Sequence, residues 1–319
     1  MKRIDLKEAA QLLRAQDDFL LLCHAYPDGD TLGSAAALCL ALRDMGKRAY
    51  VRCGHEVPDK FLPYVGDCFQ PQGAGETVVA MDVADEKLLG PLQAQFGGRV
   101  ELCIDHHMTH RPYAQQVCVV DAAANCENVY FVIEALGAQL TPAIADALFL
   151  GLSTDTGCFK YAGVTPQTHL IAARLIEAGA NAGEINRQMF DTKTKTRTEL
   201  ERCVLDGMEY HFDDQCALVA ITNEMRRSTG ATDGDMDGIS ALPRMIEGVI
   251  VGITLRERTG GTYKASLRTH APVNAAEICA RLGGGGHARA AGCELDGPLE
   301  RAKEEILRVV KDALIACRD

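Results

Sequence analysis

Histidine and aspartate side chains follow apolar segments of this chain in a pattern that suits metal binding. An Asp-His-His triplet at positions 105–107 directly follows the apolar run Val100–Ile104, which is typical of a buried strand. Asp82 follows the apolar run Thr77–Met81 in the same way. Carboxylate oxygens and imidazole nitrogens are ligands for divalent transition metals. Because ligands bind at the carboxyl ends of strands in an open α/β sheet, these residues predict a site at that edge.

Three more candidate ligands lie between the first predicted strand, Phe19–Cys23, and the helical pattern Leu32–Met45. They are His24, Asp28 and Asp30. A proline and a glycine among them favour a turn over a helix, which would let the three side chains converge. The helix that follows directs its amino terminus at the same place and favours anions there.

A further carboxylate, Asp155, follows the helical pattern Pro142–Leu152. Several carboxylates in one pocket repel each other strongly unless cations neutralise them. The mixed histidine and aspartate set favours Mn²⁺ over Ca²⁺, and two such ions about 3.5–4 Å apart support in-line displacement at phosphorus. Taken alone, an aspartate such as Asp82 or Asp155 is more often a turn former or a helix cap than a metal ligand.

Strand-like and helical segments alternate over residues 1–190, which predicts an α/β domain. We expect a mostly parallel sheet with helices on both faces. The predicted strands are Phe19–Cys23, Ala49–Val51, Thr77–Met81, Val100–Ile104 and Val117–Val120, and the predicted helices are Leu32–Met45, Asn128–Leu136, Pro142–Leu152, Gln167–Ala178 and Ala182–Phe190.

The pattern changes after residue 190. Residues 191–198 are polar, and a linker or a connecting helix is predicted for residues 191–204. Residues 205–319 predict a smaller α+β domain. Its predicted strands are Cys216–Thr222, Gly248–Arg256 and Thr262–Leu267, with helices at Ala275–Leu282 and Leu299–Ala316.

The second domain contains the glycine-rich segment Gly283–Gly292, which also includes His287. Glycine lets backbone N–H groups approach a phosphate closely, although a flexible loop is the alternative interpretation. Upstream, Arg268 is either a phosphate ligand or a solvated strand residue. In the first domain, Arg111 is either a phosphate ligand or an ordinary surface arginine.

Composition limits the partners that we expect. The chain has 319 residues and a net charge of −11, which disfavours a long nucleic-acid duplex as a partner. Its 13 cysteines occur without a C-x-x-C pair, and no apolar stretch is long enough to span a bilayer. We therefore expect a cytoplasmic protein that binds no membrane and has no structural zinc site. The sequence leaves the oligomeric state open and is compatible with a homodimer.

The motifs taken together resemble the DHH phosphoesterase superfamily, in the group that also carries a DHHA1 domain. They occur in order as His24 to Ser34, Met81-Asp82, the Asp-His-His triplet, Ser153 to Gly157, and Gly283–Gly292. Length and the two-domain layout are most similar to the bifunctional oligoribonucleases and PAP phosphatases, also called nanoRNases. The resemblance spans nearly the whole chain.

This resemblance implies two manganese ions and a set of roles. One ion would be held by His24, Asp28 and Asp82. The other would be held by Asp30, Asp82, His106 and Asp155. Asp105 would support the cluster, and His107 would contact the scissile phosphate. Substrate-binding groups would be Arg268, Gly284, Gly285, Gly286 and His287, in a cleft between the two domains.

The expected function is hydrolysis of very short RNA, two to five nucleotides long, from the 3′ end to mononucleotides. Removal of the 3′-phosphate from adenosine 3′,5′-bisphosphate (pAp) is a second expected activity. The alternative is hydrolysis of linear or cyclic dinucleotide second messengers by the same residues. A non-catalytic nucleotide-binding protein would lack some of the expected ligands, and all of them are present here.

Overall fold

The chain folds into two compact units, Met1–Thr192 and Lys193–Asp319, each with its own six-stranded sheet. The computed structural model describes residues 2–70, 75–236 and 238–317. The first predicted domain begins at residue 1 and the second ends at residue 319, and both of these residues lie outside the described part. The predicted boundaries at 190 and 204 stay predictions. None of the helices in the described ranges combines the length and apolarity that crossing a lipid bilayer requires.

The sheet of the first unit is wholly parallel, with the strand order β1-β6-β5-β4-β2-β3. The strands are β1 (Lys2–Arg3), β2 (Phe19–Leu22), β3 (Ala49–Arg52), β4 (Thr77–Met81), β5 (Leu102–Asp105) and β6 (Gln116–Val119). All residues of β2, β4 and β5 are buried, as expected of parallel strands covered on both faces. The predicted α/β class is confirmed, and β1 is the one strand of this sheet that the sequence analysis did not find.

Helices cover both faces of this sheet. The α-helices are α1 (Leu6–Ala15), α2 (Gly29–Asp44), α3 (Leu62–Val65), α4 (Gln93–Phe96), α5 (Asn125–Leu136), α6 (Pro142–Asp155), α7 (Pro166–Glu177) and α8 (Ala182–Asn186). Short 3₁₀-helices occur at Gly66–Cys68 and Glu86–Leu92, and Arg187–Asp191 forms a π-helix. One face packs against α1, α2, α5 and α6, whereas the other is covered by the segment Glu86–Leu92 and α4.

Helix α2 begins earlier than predicted. The sequence favoured a turn through Gly29 and a helix from Leu32, but α2 starts at Gly29, and Asp28 is its N-cap. The Asp28 carboxylate accepts hydrogen bonds from the backbone N–H groups of Asp30 and Thr31, both at 3.1 Å. These hydrogen bonds satisfy backbone N–H groups that have no partner within the helix. Pro27 precedes the N-cap and Gly29 is the first residue of the helix, so neither residue prevents the helix from forming.

Glycines let α2 and α6 approach each other closely. A Cβ at Gly33 would lie 2.3 Å from the backbone oxygen of Ala147, and one at Gly29 would lie 2.2 Å from the Thr154 hydroxyl oxygen. A Cβ at Gly151, on α6, would lie 2.8 Å from a carboxylate oxygen of Asp30. The absence of these three side chains therefore allows the two helices to bring their polar residues together.

The second unit contains a mixed sheet with the order β11-β12-β10-β9-β8-β7, in which only β8 and β9 are parallel. Its strands are β7 (Glu209–His211), β8 (Cys216–Ile221), β9 (Val251–Glu257), β10 (Thr262–Thr269), β11 (Gly285–His287) and β12 (Ala290–Asp296). Its α-helices are α9 (Lys195–Asp206), α10 (Asn223–Thr229), α11 (Ala275–Ala280) and α12 (Leu299–Ala316), with shorter 3₁₀ segments at Gly234–Met236 and Ile239–Met245.

We predict that Gly33→Ala destabilises the protein. The new methyl group meets backbone that cannot rotate away, and overpacking of this kind costs roughly 1–3 kcal/mol. Urea unfolding measures the change. Gly163→Ala is the matched control, because a Cβ there meets no atom of the described residues within 4 Å. Equal stability of the two variants would contradict the close approach of α2 and α6.

Candidate metal centre

Three neighbouring strands of the first unit end at the same edge of the sheet, and candidate ligand residues lie at or just after their ends. Strands β2, β4 and β5 are adjacent and parallel. His24 lies two residues beyond β2, Asp82 directly follows β4, and Asp105 is the last residue of β5. The backbone N–H of Asp82 donates to the carbonyl oxygen of Ile104 at 2.9 Å, which ties the ends of β4 and β5 together.

Asp105 does not emerge from the sheet as the sequence suggested, because it belongs to β5 and is fully buried. One oxygen accepts from the backbone N–H of His106 at 2.8 Å and from Nδ1 of His107 at 2.8 Å. Burial alone would raise the pKa of Asp105, but the hydrogen bonds from His107 and His110 outweigh it and hold that pKa below its ordinary value. Asp105 is therefore a charged group that orients histidines.

His110 is a residue of this site that the sequence analysis missed. Its Nδ1 donates to the second oxygen of Asp105 at 2.6 Å, its side chain is 4% exposed, and its ring stacks on that of Tyr113. The signal available in the sequence was the spacing Asp-His-His-x-x-His. That spacing alone does not show that the third histidine turns back to the aspartate.

The hydrogen bonds of His106 fix which of its nitrogens can bind a metal. Nδ1 lies 2.9 Å from the carbonyl oxygen of Ala122, and because a carbonyl can only accept, Nδ1 carries the proton. The lone pair of Nε2 is then free. Metal-binding histidines are commonly held in this way by a backbone carbonyl on the other nitrogen.

Asp30 is held at the amino terminus of α5. Its two carboxylate oxygens accept from the backbone N–H groups of Asn125 at 2.6 Å and Cys126 at 2.9 Å. Those N–H groups have no partner inside the helix, and the positive end of the helix dipole favours a carboxylate there. Burial is the largest influence on Asp30 and raises its pKa.

The structure brings His24, Asp28, Asp30, Asp82, His106 and Asp155 together with His107. Possible ligand atoms lie within 4.8 Å of one another in three groups: His24, Asp28 and Asp82; Asp30, His106 and Asp155; and Asp82, His106 and His107. Asp82 joins the groups, since Oδ2 lies 3.9 Å from Nε2 of His24 and Oδ1 lies 3.4 Å from Nε2 of His106. Nε2 of His106 is also 3.7 Å from Oδ2 of Asp155.

The environment of Asp82 fits a cation. Its side chain is buried, and among the residues that the structure describes Oδ1 has no hydrogen-bond partner. Burial, followed by the negative charges of Asp30 and other nearby carboxylates, raises the pKa of Asp82 well above its ordinary value. A buried carboxylate oxygen without a hydrogen bond is destabilising, and so is the repulsion between neighbouring carboxylates. A divalent ion bound here would offset both effects. The histidine and aspartate donors suit such an ion.

Asp155 is the last residue of α6, which extends three residues beyond the predicted helix. Burial, and then the charge of Asp30, raises the pKa of Asp155 to about 7. Protons and a divalent cation therefore compete for this carboxylate in the neutral range.

A cavity of about 550 Å³ opens over these side chains. Its lining comprises His24, Ala25, Tyr26, Asp28, His55, Asp82, Lys87, Leu88, Gly90, Pro91, His106, His107 and Asp155. This volume lies within the usual range of roughly 300–1,000 Å³ for small-molecule sites.

The Arg111 side chain is 77% exposed and forms an ion pair with Asp85 at 3.3 Å. The structure does not bring it into the lining of this cavity. Its predicted contact with a phosphate stays a prediction.

The glycine-rich segment of the second unit forms part of a strand pair, which the sequence analysis did not predict. In the strand register, Arg268 is opposite Ala290, and Ala290 is opposite His287, so the three form one row across β10, β12 and β11. Gly285, Gly286 and His287 are exposed. A Cβ at Gly284 would lie 2.2 Å from the backbone oxygen of Gly292, so a larger residue cannot fit there. Of these strands, β11 lies at one edge of the sheet and β10, with Arg268, lies two strands further in. The part of these residues in substrate binding stays a prediction.

Fold and site together define an α/β protein with a carboxylate and histidine centre at the carboxyl edge of a parallel sheet, followed by a mixed α+β unit. Residues 18–152 match the model of the DHH family, N-terminal domain, and residues 214–316 match that of the DHHA1 domain.

Relatives match over nearly the whole chain. A bifunctional oligoribonuclease and PAP phosphatase NrnA from Thermus thermophilus is 32% identical, over 97% of this chain and 94% of that protein. A probable protein of the same name from Streptococcus mutans is 26% identical, over 95% and 96%. The crystal structure of an exopolyphosphatase-related protein from Bacteroides fragilis superposes with a TM-score of 0.87 and 23% identity, covering 98% of both chains, which shows the same fold. The chain belongs to the DHH phosphoesterase family with a DHHA1 domain and is a hydrolase.

We predict that Mn²⁺ stabilises the metal-stripped protein and that Asp82→Asn removes this effect. At 100 times the dissociation constant, a ligand of the folded state adds about 2.7 kcal/mol. Without metal, Asp82→Asn should be at least as stable as the parent, because the substitution removes an unpaired buried charge. Thermal unfolding with and without Mn²⁺ tests both statements. Asp296→Asn, an exposed position in the second unit, is the control, and an unchanged Mn²⁺ effect in Asp82→Asn would refute the site.

The raised pKa of Asp155 also predicts how stability depends on pH without metal. Between the ordinary pKa of 3.8 and about 7, the folded protein binds more protons at this group than the unfolded chain does. The free energy of unfolding must therefore fall as pH rises through that window. Urea unfolding in the presence of a chelator should show a smaller fall for Asp155→Asn than for the parent. Identical pH profiles would show that this carboxylate titrates normally.

Proposed function

We propose that this chain is a Mn²⁺-dependent hydrolase with two metal ions that degrades very short oligoribonucleotides from the 3′ end to mononucleotides. We also propose that it removes the 3′-phosphate from pAp. The observation that carries the proposal is the unpartnered buried oxygen of Asp82 between two groups of possible ligands. The names of the relatives that match almost the full chain support the choice of substrates.

In this proposal, one ion is held by His24, Asp28 and Asp82. The second is held by Asp30, Asp82, His106 and Asp155, with Asp82 shared. Two observations support this division. The possible ligand atoms of each group lie within 4.8 Å of one another, and the two Asp82 oxygens lie near different histidines. Bound divalent ions would supply an activated water and would neutralise charge on the phosphate.

The residues of the chain have separate tasks in this reaction. Asp105 accepts a hydrogen bond from Nδ1 of His107, and this bond raises the pKa of that half-exposed ring. In the protonated ring, the Nε2–H group can donate to a phosphate oxygen. His110 holds Asp105 from the other side, so that the orientation of His107 depends on a chain of two hydrogen bonds. Groups fixed in this way stabilise charge that develops on the phosphate without reorganising during the reaction.

Recognition of the remaining part of a short substrate is proposed for the second unit. Arg268 offers a planar fork for a phosphate, and Gly284, Gly285, Gly286 and His287 add backbone N–H and imidazole donors. Arg111 of the first unit is a further candidate. Because the chain has a net charge of −11, its affinity should depend on such local groups, which favours a short anion over a long duplex.

The test is turnover by metal-stripped protein supplied with Mn²⁺, on labelled RNAs of different length, pAp, a cyclic dinucleotide and pyrophosphate. We expect rapid cleavage of the shortest RNAs and of pAp, with little activity on an RNA many times longer. Activity confined to linear or cyclic dinucleotides would identify the alternative function, a hydrolase of second messengers. Equal activity on short and long RNA would refute the preference for short substrates.

Asp82→Asn provides the variant for that panel. Loss of a group that holds the reacting centre should lower kcat by on the order of 100-fold or more on every substrate. Arg268→Ala should instead act on KM for substrates with a second phosphate, because Arg268 is proposed to bind away from the scissile bond. A uniform loss of kcat in Arg268→Ala would contradict that role.

A further inference from the structure

Five residues with large side chains line part of the cavity over the metal centre and have no role in the reaction described above. These residues are Tyr26, His55, Lys87, Leu88 and Pro91. Tyr26 is 82% exposed and Leu88 is 47% exposed. Aromatic and apolar surface of this kind beside a polar reacting centre is typical of a ligand site.

Close packing of three loops holds this surface in place. The backbone N–H of Ala25 donates to the carbonyl oxygen of Leu88 at 2.7 Å. Gly90 has a φ of +57°, and a Cβ there would lie 2.5 Å from the Cβ of Ala25. A Cβ at Gly54 would lie 3.0 Å from Pro91. The loops after β2, β3 and β4 therefore form a shared surface that exists before any ligand binds.

We propose that Tyr26, His55, Leu88 and Pro91 form a base platform, which binds the nucleobase of the nucleotide whose phosphate lies at the metal centre. This inference rests on the proposed function, because it concerns the same substrate. The rings of Tyr26 and His55 are 4.6 Å apart between centroids, at an interplanar angle of 46°. Proteins that bind single-stranded nucleic acids stack unpaired bases on exposed aromatic rings of this type.

Lys87 adds a charge beside the base platform. In the part of the chain that the structure describes, its ammonium group forms no ion pair, although carboxylates are abundant in this protein. Lys87 lines the same cavity as His107 and Asp82. A flexible ammonium group in that position suits a phosphate oxygen of the bound nucleotide.

The chemistry of the base platform predicts little discrimination between bases. Apart from stacking surface, it offers the hydroxyl group of Tyr26 and the imidazole of His55, whereas Leu88 and Pro91 present apolar side chains. Reading a base by its edge needs several fixed donors and acceptors, but stacking accepts every base because each has a flat face. We expect the 3′,5′-bisphosphates of adenosine, guanosine, cytidine and uridine to have kcat/KM values within about tenfold of one another.

The decisive experiment compares pAp with the same ribose 3′,5′-bisphosphate lacking a base, using the full-length protein with Mn²⁺. The parent should show a kcat/KM for pAp that is higher by about tenfold or more, the effect typical of one stacked base. Tyr26→Ala should lose that advantage through KM while it processes the compound without a base as the parent does. Tyr26→Phe should keep most of the advantage, because it keeps the ring.

Tyr210→Ala is the matched control, because Tyr210 is an exposed tyrosine on β7 of the second unit. An equal loss on both compounds in Tyr26→Ala, or no loss on either, would overturn the base platform. Equal turnover of the two compounds by the parent would overturn it as well and would leave the proposed function intact. Absence of turnover of either compound and of short RNA by the parent would instead overturn the proposed function.

Discussion

The carboxylates of Asp30, Asp82 and Asp105 are almost completely removed from solvent within one small region of the first unit. The protein satisfies two of them itself. Asp105 receives hydrogen bonds from histidines and backbone, and Asp30 receives the first N–H groups of α5. Asp82 keeps an oxygen that has no hydrogen-bond partner within the described ranges of the chain, and burial and the neighbouring carboxylates raise its pKa. The fold thus concentrates negative charge at the point where a cation can neutralise it.

Much of the surrounding structure serves to hold that charge in place. The parallel sheet aligns the ends of β2, β4 and β5, and the α2–α6 contact through glycines places Asp30 near Asp155. Residues that hold ligands must themselves be fixed, because a small displacement weakens both metal binding and catalysis. This requirement is consistent with the positions of Gly33 and Gly151, where even one methyl group would collide with backbone or with the Asp30 carboxylate.

The sequence was sufficient for the fold class and for the residues that converge at the sheet edge. Alternating apolar segments locate the parallel strands, and in such a sheet the residues after each strand share one edge. The sequence was insufficient where contacts between distant segments decide the local structure. The turn predicted before Leu32 became the first turn of α2, because capping by Asp28 outweighs the local effect of proline and glycine. Of the glycines predicted to lie in a loop, Gly285 and Gly286 belong to β11, because their pairing with β12 depends on residues elsewhere in the chain.

The sequence offered little indication of two further features near the metal centre, the role of His110 and the cavity shared by Tyr26 and Lys87. His110 acts through Asp105, and its spacing shows neither the direction of its ring nor its burial. Tyr26 and Lys87 are 61 residues apart in the chain, and their common cavity results from contacts among three loops. Such contacts are not encoded in any local pattern of residues, so the structure was needed to find them.

The central claim is that Asp82 is shared between two metal ions. Anomalous diffraction at the manganese edge, from crystals of the protein with Mn²⁺, tests it most directly. Two peaks are expected about 3.5–4 Å apart. One should lie beside His24 and Asp28, the other should lie beside His106 and Asp155, and Asp82 should contact both. A single peak, or two peaks that do not both contact Asp82, would contradict the account.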